Sequence, residues 1–266
     1  MSDTFDLTGR VAIVTGGNGG IGRGMAMALA QAGASVVVVG RNEAKTAEAV
    51  AEMEGLGAKA IGVRADVGQR ADASRMMEEA LRAFGRIDIL VNNAGAAAAM
   101  PFEQATDQDW ASDLDLKFYA AVRFVRLVAP HMRKAGGGRV INVTNLGGKA
   151  PGPASVPTSV SRAAGLALTK ALSKDLAKDN ILVTSVCIGA IKSAQNERRY
   201  QQLSAKDPAL TLHAFYQQLA RSRNVPLGRV GESAEAGDVI AFLASERASY
   251  LTGVAINIDG GASPVL

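Results

Sequence analysis

Short runs of β-branched residues alternate along the chain with longer segments of helical periodicity. The pattern predicts seven strands, over residues 11–15, 35–40, 60–66, 87–92, 139–143, 181–187 and 254–258. It predicts six helices, over residues 21–32, 43–56, 70–84, 107–133, 156–178 and 233–245. Strands that alternate with helices of this length form right-handed βαβ units. We therefore expect a doubly wound α/β fold, with one seven-stranded parallel sheet and helices on both of its faces.

The chain reads as one domain over residues 1–266, because no linker-like change in composition and no internal repeat divides it. The alternation is interrupted by a polar insertion at about residues 191–229, which predicts a substrate lid or a partner-binding arm. Between residues 192 and 229 it carries seven Lys or Arg residues against Glu197 and Asp207. Such a lid would favour an anionic ligand, such as a carboxylate or an acyl-CoA. A solvated helical arm is the alternative.

Composition narrows the class of protein. With 48% hydrophobic and 20% charged residues the chain is typical of a soluble globular protein. A formal net charge of +4, spread along the chain, does not indicate a nucleic-acid partner. The single cysteine, Cys187, excludes an internal disulfide and a cysteine-rich metal cluster, and we expect no metal site. The first residues carry no apolar targeting segment and no run is long enough to span a membrane, so a cytoplasmic location is expected.

A glycine-rich turn, Thr15-Gly-Gly-Asn-Gly-Gly-Ile-Gly22, follows the first predicted strand and opens the first predicted helix. Glycines at this place let the pyrophosphate of a dinucleotide approach the positive end of the helix. A tight turn without a ligand is the alternative. The predicted cofactor contacts in the turn are Gly16, Gly17, Asn18, Gly20, Ile21 and Gly22.

Arg41 stands at the end of the second predicted strand, where an NAD-selective site would have an acidic residue. A guanidinium there suits a ribose 2′-phosphate, so NADP(H) is favoured over NAD(H). A solvated arginine is the alternative. The ends of the third and fourth strands supply the remaining contacts expected on the adenosine side, Asp66, Val67, Asn93, Ala94 and Gly95.

Six motifs, in order over about residues 7–261, resemble the short-chain dehydrogenase/reductase family. They are Thr15-Gly16-x3-Gly20-x-Gly22, Arg64-Ala-Asp-Val67, Asn92-Asn-Ala-Gly95, Gly138-Arg-Val-Ile-Asn142, Ser249-Tyr-Leu-Thr-Gly253 and Asp259-Gly-Gly261. The resemblance implies a single Rossmann-type domain that binds a nicotinamide cofactor. It also implies hydride transfer between NAD(P) and an alcohol or carbonyl. The expected assembly is a homotetramer or dimer, packed partly through the helices near residues 107–133 and 156–178.

The resemblance also implies a catalytic Asn, Ser, Tyr and Lys, and all four positions differ in this chain. Aligned on their surroundings, they hold Lys117, Asn145, Thr158 and Arg162, respectively. The hydroxyl of threonine is a much weaker acid than the phenol of tyrosine, whose ordinary pKa is about 10. Loss of a positioned general acid commonly costs about 10²–10⁴ in rate. We therefore expect a poor reductase, another proton donor, or no catalysis.

Cofactor binding is better supported by these positions than catalysis is. Arg162 keeps the positive charge of the family's lysine and would hold the ribose hydroxyls, but it is too strong a base to relay a proton. Ser193 corresponds to the family's threonine that contacts the nicotinamide carboxamide.

Lys117 is the best replacement for the missing tyrosine. Burial and the nearby cation of Arg162 should lower the pKa of its ammonium group, so that it could act as an acid, base or nucleophile. The alternative is that Lys117 only pairs with Asp113 or Asp115, or binds an anion as a fixed charge.

Three functions remain open at this point. The first is an NADP(H)-dependent oxidoreductase with an altered catalytic set, acting on a small carbonyl or alcohol. The second is a non-catalytic cofactor-binding subunit that partners an active relative in a hetero-oligomer. The third is a non-redox lyase or hydratase on the same fold.

Overall fold

The computed structural model describes residues 5–266, and its centre is one sheet of seven parallel strands. The strands are β1 Val11–Thr15, β2 Ser35–Gly40, β3 Ala60–Arg64, β4 Ile89–Asn92, β5 Gly138–Asn145, β6 Ile181–Ile188 and β7 Ala255–Ile258. Their order across the sheet is β3-β2-β1-β4-β5-β6-β7. This confirms the predicted doubly wound sheet. Residues 1–4, on which the expectation of no targeting segment partly rests, lie outside the described residues.

Nine α-helices are described within residues 5–266. They are α1 Gly20–Gln31, α2 Glu43–Gly55, α3 Arg70–Phe84, α4 Asp107–Leu114, α5 Ala120–Lys134, α6 Thr158–Asp175, α7 Ala194–Ser204, α8 Leu212–Ser222 and α9 Ser233–Ala244.

Both faces of the sheet are buried, because successive strand residues point into opposite layers. Ala12 and Val14 of β1 pack into a core that includes α1 and α9. Val11 and Ile13 of the same strand pack into a second core that includes α3 and α5. These strands therefore read as continuous apolar runs.

The predicted helix over residues 107–133 is interrupted in the structure. A π-helical turn, Asp115–Tyr119, joins α4 to α5, so the helical ladder changes at that point. Such turns widen a helix locally and are frequent at functional sites. Lys117 lies within this turn and is buried.

Strand ends also differ from the prediction. β3 ends at Arg64, so Asp66 lies in the loop that follows it rather than in the strand. β5 is longer than predicted and ends at Asn145, which places that residue at the carboxyl edge of the sheet. The polar insertion contains two helices that the sequence pattern did not resolve, α7 and α8.

The insertion is not uniformly polar. Phe215, Tyr216 and Leu219 on one face of α8 pack with Val225 and Val230 in a small separate cluster. This cluster anchors the insertion over the carboxyl edge of the sheet, while α7 buries none of its residues. Within residues 5–266, no helix has both the length and the apolar character needed to cross a bilayer.

Candidate active site

The strand order reverses between β1 and β4, and this is where a doubly wound sheet opens a crevice at its carboxyl edge. The two walls of the crevice are tied together. The hydroxyl of Thr15 accepts hydrogen bonds from the backbone N–H groups of Asn93 (2.9 Å) and Ala94 (3.0 Å). The side-chain amide of Asn93 donates to the carbonyls of Thr15 (2.9 Å) and Gly16 (3.3 Å). Asn93, expected as a cofactor contact, therefore uses its side-chain amide to hold the two walls of the crevice together.

The glycine-rich turn after β1 needs glycine at specific places. Gly16 and Gly20 have φ of +67° and +52°, in the left-handed region. A Cβ on Gly22 would overlap the carbonyl of Gly16, so α1 lies directly against the turn. No side chain caps the first turn of α1, and no acidic residue lies in it. The amino end of α1 is therefore open to an anion.

Asn18 connects this turn to the loop that carries Arg41. Its side-chain amide donates to the Thr46 hydroxyl (3.0 Å) and to the Asn42 carbonyl (3.3 Å), next to Gly40. Arg41 itself is exposed and forms no hydrogen bond or ion pair within residues 5–266. Its guanidinium is free to meet a phosphate beside the turn.

The loop after β3 is braced by an ion pair that the sequence reasoning missed. Asp66 accepts a hydrogen bond from the Gly68 N–H (3.0 Å), and Val67 is buried. Arg123 of α5 donates to the Gly68 carbonyl (3.1 Å) and pairs with Asp115 of the π-helical turn. The loop expected to contact adenine is thus fixed to the element that carries Lys117.

Lys117 and Thr158 meet in the buried interior of the site. The Lys117 ammonium donates to the Thr158 hydroxyl oxygen at 2.9 Å and forms an ion pair with Asp113, one helical turn earlier. The side chains of Lys117 and Asp113 are 1% and 2% exposed, so this pair is almost fully removed from water. The pairing alternative with Asp113 is observed, whereas Asp115 pairs with Arg123 instead.

Two further groups complete this cluster, and neither was singled out from the sequence. Ser161 of α6 donates to the second carboxylate oxygen of Asp113 at 2.6 Å. The backbone N–H of Ala98 donates to the Thr158 hydroxyl at 3.1 Å. A Ser three residues after Thr158 carried no signal by itself, because only the packing of α4 on α6 brings it to Asp113.

Burial lowers the pKa of the Lys117 ammonium below its ordinary value, as expected from the sequence. The hydrogen bond with Asp113 acts in the opposite direction, and the positive charge of Arg162 lowers this pKa further. The protonation of Lys117 therefore depends on a balance in which burial and the cation of Arg162 favour the neutral amine and the carboxylate of Asp113 favours the ammonium.

Arg162 lies on the other side of the site. Its guanidinium donates to the Val143 carbonyl at 2.7 Å, and burial lowers its pKa from the ordinary value. A Cβ on Gly95 would lie 2.7 Å from the guanidinium, so the glycine leaves room for it. Both Arg162 Nε and Asn145 Oδ1 are buried without a hydrogen-bond partner among the described residues. Buried polar atoms of this kind indicate that a further polar group belongs in the site.

Ser193 caps α7, the first helix of the insertion, since its hydroxyl accepts a hydrogen bond from the Asn196 N–H at 3.3 Å. The next residue, Ala194, packs on the glycine-rich turn, with its backbone N–H 3.2 Å from the place of a Cβ on Gly20. The lid therefore begins directly beside the expected pyrophosphate.

Neighbouring acidic residues neutralise part of the positive charge that the sequence assigns to the insertion. Lys192 pairs with Glu232 at 2.5 Å, and Arg229 pairs with Glu235 at 2.6 Å. Both acids lie just beyond residue 229, where the insertion ends, so the charge of the insertion alone does not include them. The exposed cations that remain are Arg198, Arg199, Lys206, Arg221 and Arg223.

The residues present fit a dinucleotide. The turn leaves space and open N–H groups at the amino end of α1, and Arg41 adds a free guanidinium. Arg162 Nε and Asn145 Oδ1 are a buried donor and a buried acceptor that no described residue satisfies. In contrast, residues 5–266 contain no cluster of three His, Cys, Asp or Glu side chains placed to hold a metal ion.

Comparison with known families gives a match to the model described as short chain dehydrogenase over residues 10–204. A curated relative, the 3-oxoacyl-(acyl-carrier-protein) reductase FabG of Thermotoga maritima, is 32% identical over 255 residues. That alignment covers 96% of this chain and 98% of the relative.

Two solved structures are similar over nearly the whole chain. L-sorbose reductase from Gluconobacter frateurii, in complex with NADPH and L-sorbose, superposes with a TM-score of 0.93 at 32% identity, covering 98% of this chain and 99% of that one. An NADPH-bound short chain oxidoreductase from Pseudomonas aeruginosa PAO1, described as containing an atypical catalytic center, gives a TM-score of 0.90 at 32% identity. Here 98% of this chain and all of the other are covered.

Proposed function

Because this chain belongs to the short-chain dehydrogenase/reductase family, we propose that it is an NADP(H)-dependent oxidoreductase in which Lys117 takes over the proton chemistry of the absent tyrosine. Its substrate is a carbonyl compound or the corresponding alcohol. The observation that carries the proposal is the 2.9 Å hydrogen bond from the buried Lys117 ammonium to the Thr158 hydroxyl. Thr158 stands where the family's tyrosine is expected.

The hydrogen bonds of Thr158 indicate how a proton would move. Its oxygen accepts from the Ala98 N–H and from Lys117, which leaves the hydroxyl hydrogen to be donated. During reduction, Thr158 gives this proton to the substrate oxygen as Lys117 gives one to Thr158. Lys117 is then a neutral amine, and after the product leaves a proton from water returns to it through the Thr158 hydroxyl. When bound, the nicotinamide supplies the hydride that adds to the carbonyl carbon.

The other site residues hold and orient the reactants. The α1 amino end and the glycine turn would carry the pyrophosphate, and Arg41 the 2′-phosphate. The relatives bound to NADPH, the sorbose reductase and the Pseudomonas oxidoreductase, support this choice of cofactor. The atypical catalytic center described for the latter supports the view that related chains work with an altered set. Arg162 would hold the nicotinamide ribose, while Asn145 offers an acceptor nearby.

The substrate class we propose includes anions, such as carboxylates and acyl-CoA compounds. Five exposed cations of the lid support this, although Lys192 and Arg229 are neutralised by Glu232 and Glu235. A carrier-linked or CoA-linked acyl group would be compatible with this surface. Keto acids in the substrate panel test this preference for anions most simply.

We also propose that the chain forms a homo-oligomer through α5 and α6. Between these helices lies an open apolar cavity of about 250 Å³. Its lining residues are Val122, Val125, Arg126, Ala129, Arg133, Leu168, Leu172 and Leu176. An apolar depression on an outer helix pair is suited to a second copy.

One observation favours a second candidate function, a cofactor-binding subunit without catalysis. The cluster of Asp113, Lys117, Thr158 and Ser161 is closed by mutual hydrogen bonds, as a purely structural network would be. In this case NADPH would bind but would not be consumed.

The discriminating experiment has two steps. Calorimetry with NADPH and NADH first establishes binding. NADPH oxidation is then followed with a panel of ketones, keto acids and 3-oxoacyl-CoA compounds. Turnover with any member, at a rate at least tenfold above the protein-free control, supports the oxidoreductase. Tight NADPH binding with no turnover on the whole panel supports the cofactor-binding subunit instead.

A further inference from the structure

Asp113 is a buried carboxylate at the centre of the site cluster, although it aligns with no member of the family's catalytic set. Only 3% of its surface is exposed. One carboxylate oxygen accepts from Lys117 and the other from Ser161 at 2.6 Å, so both oxygens are engaged. A carboxylate of this kind is retained in a protein interior only where its charge and lone pairs are matched.

The charged groups that face Lys117 come from two helical segments. Asp113 is the negative one, on α4, and Arg162 is the positive one, on α6. Thr158 and Ser161 of α6 are neutral donors and acceptors. The titratable Cys187 of β6 is buried on the Arg162 side of the site.

The next carboxylate along the chain, Asp115, does not take part, because it pairs with Arg123. Asp113 is thus the carboxylate, among the described residues, that balances two buried cations. Without it, Lys117 and Arg162 would repel each other in a region where charges are poorly screened.

We infer that Asp113, held in place by Ser161, is a positioning residue that keeps Lys117 protonated and directed at Thr158. Its catalytic consequence rests on the proposed function, since it matters for turnover only if Lys117 supplies the proton. The effect on the protonation of Lys117 does not depend on turnover. The two claims can therefore fail separately.

Asp113→Asn separates charge from shape. The amide oxygen still accepts a hydrogen bond from Lys117, but the compensating negative charge is lost. Burial and Arg162 then act on the ammonium unopposed, so Lys117 should lose its proton at a lower pH than in the parent. In carbonyl reduction, the fall of kcat at high pH should move to lower pH together with it, with the KM for NADPH unchanged.

The titration of Lys117 is measured directly by NMR of the cofactor-free full-length protein with ¹³C-labelled lysine. Lys117→Met identifies the Lys117 Cε resonance by its loss. We expect Asp113→Asn to lower the titration midpoint by at least one pH unit, a tenfold change in proton affinity. Asp113→Glu, which restores the charge, should stay within half a unit of the parent. The matched control is Asp107→Asn, because Asp107 is an exposed carboxylate on the same helix.

An unchanged midpoint in Asp113→Asn would overturn the inference, as would an equal shift in Asp107→Asn. If Asp113→Asn does not fold, the double variant Asp113→Asn/Lys117→Met decides, because it removes both charges. It should regain part of the lost thermal stability, and no regain would overturn the inference. If the midpoint shifts as expected but Lys117→Met retains full reductase activity, Asp113 does control Lys117 and the proposed proton donor is wrong.

Discussion

Lys117 and Thr158 face each other across a 2.9 Å hydrogen bond that joins the π-helical turn after α4 to the first residue of α6. By the sequence resemblance, we expect the family's asparagine and tyrosine to correspond to these two positions. Here the ammonium group of Lys117 reaches the hydroxyl of Thr158, and the ammonium is the stronger acid of the two groups. The consequences for binding, catalysis and stability are separately measurable.

The first prediction concerns the choice of cofactor. NADPH should bind at least tenfold tighter than NADH, which corresponds to about 1.4 kcal/mol, because Arg41 is free to pair with the 2′-phosphate. Arg41→Ala should abolish the preference in calorimetric titrations. Lys59→Ala is the matched control, since it removes an exposed cation just before β3, at the amino end of the strands and away from the expected cofactor site. Equal affinities in the parent, or a preference that survives Arg41→Ala, would contradict this assignment.

The second prediction is that Thr158→Tyr with Arg162→Lys does not create a fast reductase. The Thr158 side chain is buried, with the Ala98 N–H and the Lys117 ammonium both on its hydroxyl, so a tyrosine ring has to displace them. Steady-state reduction of common ketones should not rise more than about tenfold above the parent rate, because proton transfer needs position as well as pKa.

A fourfold variant provides the comparison for that experiment. Adding Lys117→Asn and Asn145→Ser to the two changes restores the family's whole set and clears the space beside residue 158. Its rate should exceed that of the double variant. If the double variant alone already reaches high turnover, Lys117 and Asn145 do not prevent the restored tyrosine and lysine from catalysing reduction, and the prediction is wrong.

The third prediction uses the contact between Gly95 and Arg162. A Cβ at residue 95 would lie 2.7 Å from the Arg162 guanidinium, the far end of a flexible side chain, which would have to move away. Gly95→Ala should therefore weaken NADPH binding by at least fivefold while the melting temperature of the cofactor-free protein changes by less than about 4 °C. Gly55→Ala is the control, since nothing lies within 4 Å of its Cβ. Unaltered NADPH affinity in Gly95→Ala would remove Arg162 from the cofactor site.

The fourth prediction concerns stability at the opposite edge of the sheet. Asp88 is 1% exposed and accepts hydrogen bonds from the Val11 N–H and from Arg86, both at 2.9 Å. Asp88→Ala leaves a buried N–H without a partner and should lower the free energy of unfolding by about 2–4 kcal/mol. Urea denaturation measures this, and NADPH affinity should not change.

Glu52→Gln is the control for Asp88. Glu52 pairs with Arg23, but the two side chains are 48% and 32% exposed, so the loss of this surface pair should cost less than about 1 kcal/mol. If both variants lose the same free energy of unfolding, the burial of Asp88 does not account for its contribution to stability.

The fold could be predicted because its signals are local. Buried β-branched runs such as 35–40 and the glycine-rich turn each consist of consecutive residues, so they can be recognised without knowledge of the fold. The order of the six motifs along the chain indicated the family. The break of the 107–133 helix could not be predicted, since every residue from Asp115 to Tyr119 is compatible with a regular helix. A π-helical turn depends on what the helix packs against.

The candidate site divides in the same way. Arg41, Lys117 and Thr158 were found because each departs from a known pattern at a fixed spacing. Asp113 was one of two pairing alternatives, and only the packing of α4 on α6 decided between them. Ser161 carried no signal, because its partner Asp113 is 48 residues away along the chain. The contact of Arg123 with Gly68 spans 55 residues, and its ion pair with Asp115, eight residues away, crosses the π-helical turn that the sequence did not predict.

The assignment of Lys117 as the proton donor predicts the pH dependence of NADPH oxidation by the parent, Lys117→Met and Lys117→Asn, measured with the best substrate of the panel. Burial and Arg162 hold the pKa of Lys117 below its ordinary value, so parent activity should be high at low pH and fall as Lys117 loses its proton, below pH 10.5. Both variants should lose at least about 100-fold in kcat and this decline with pH, while their NADPH affinity stays within threefold of the parent. Parent-like activity with a parent-like pH profile in both variants would contradict the assignment of Lys117 as the proton donor.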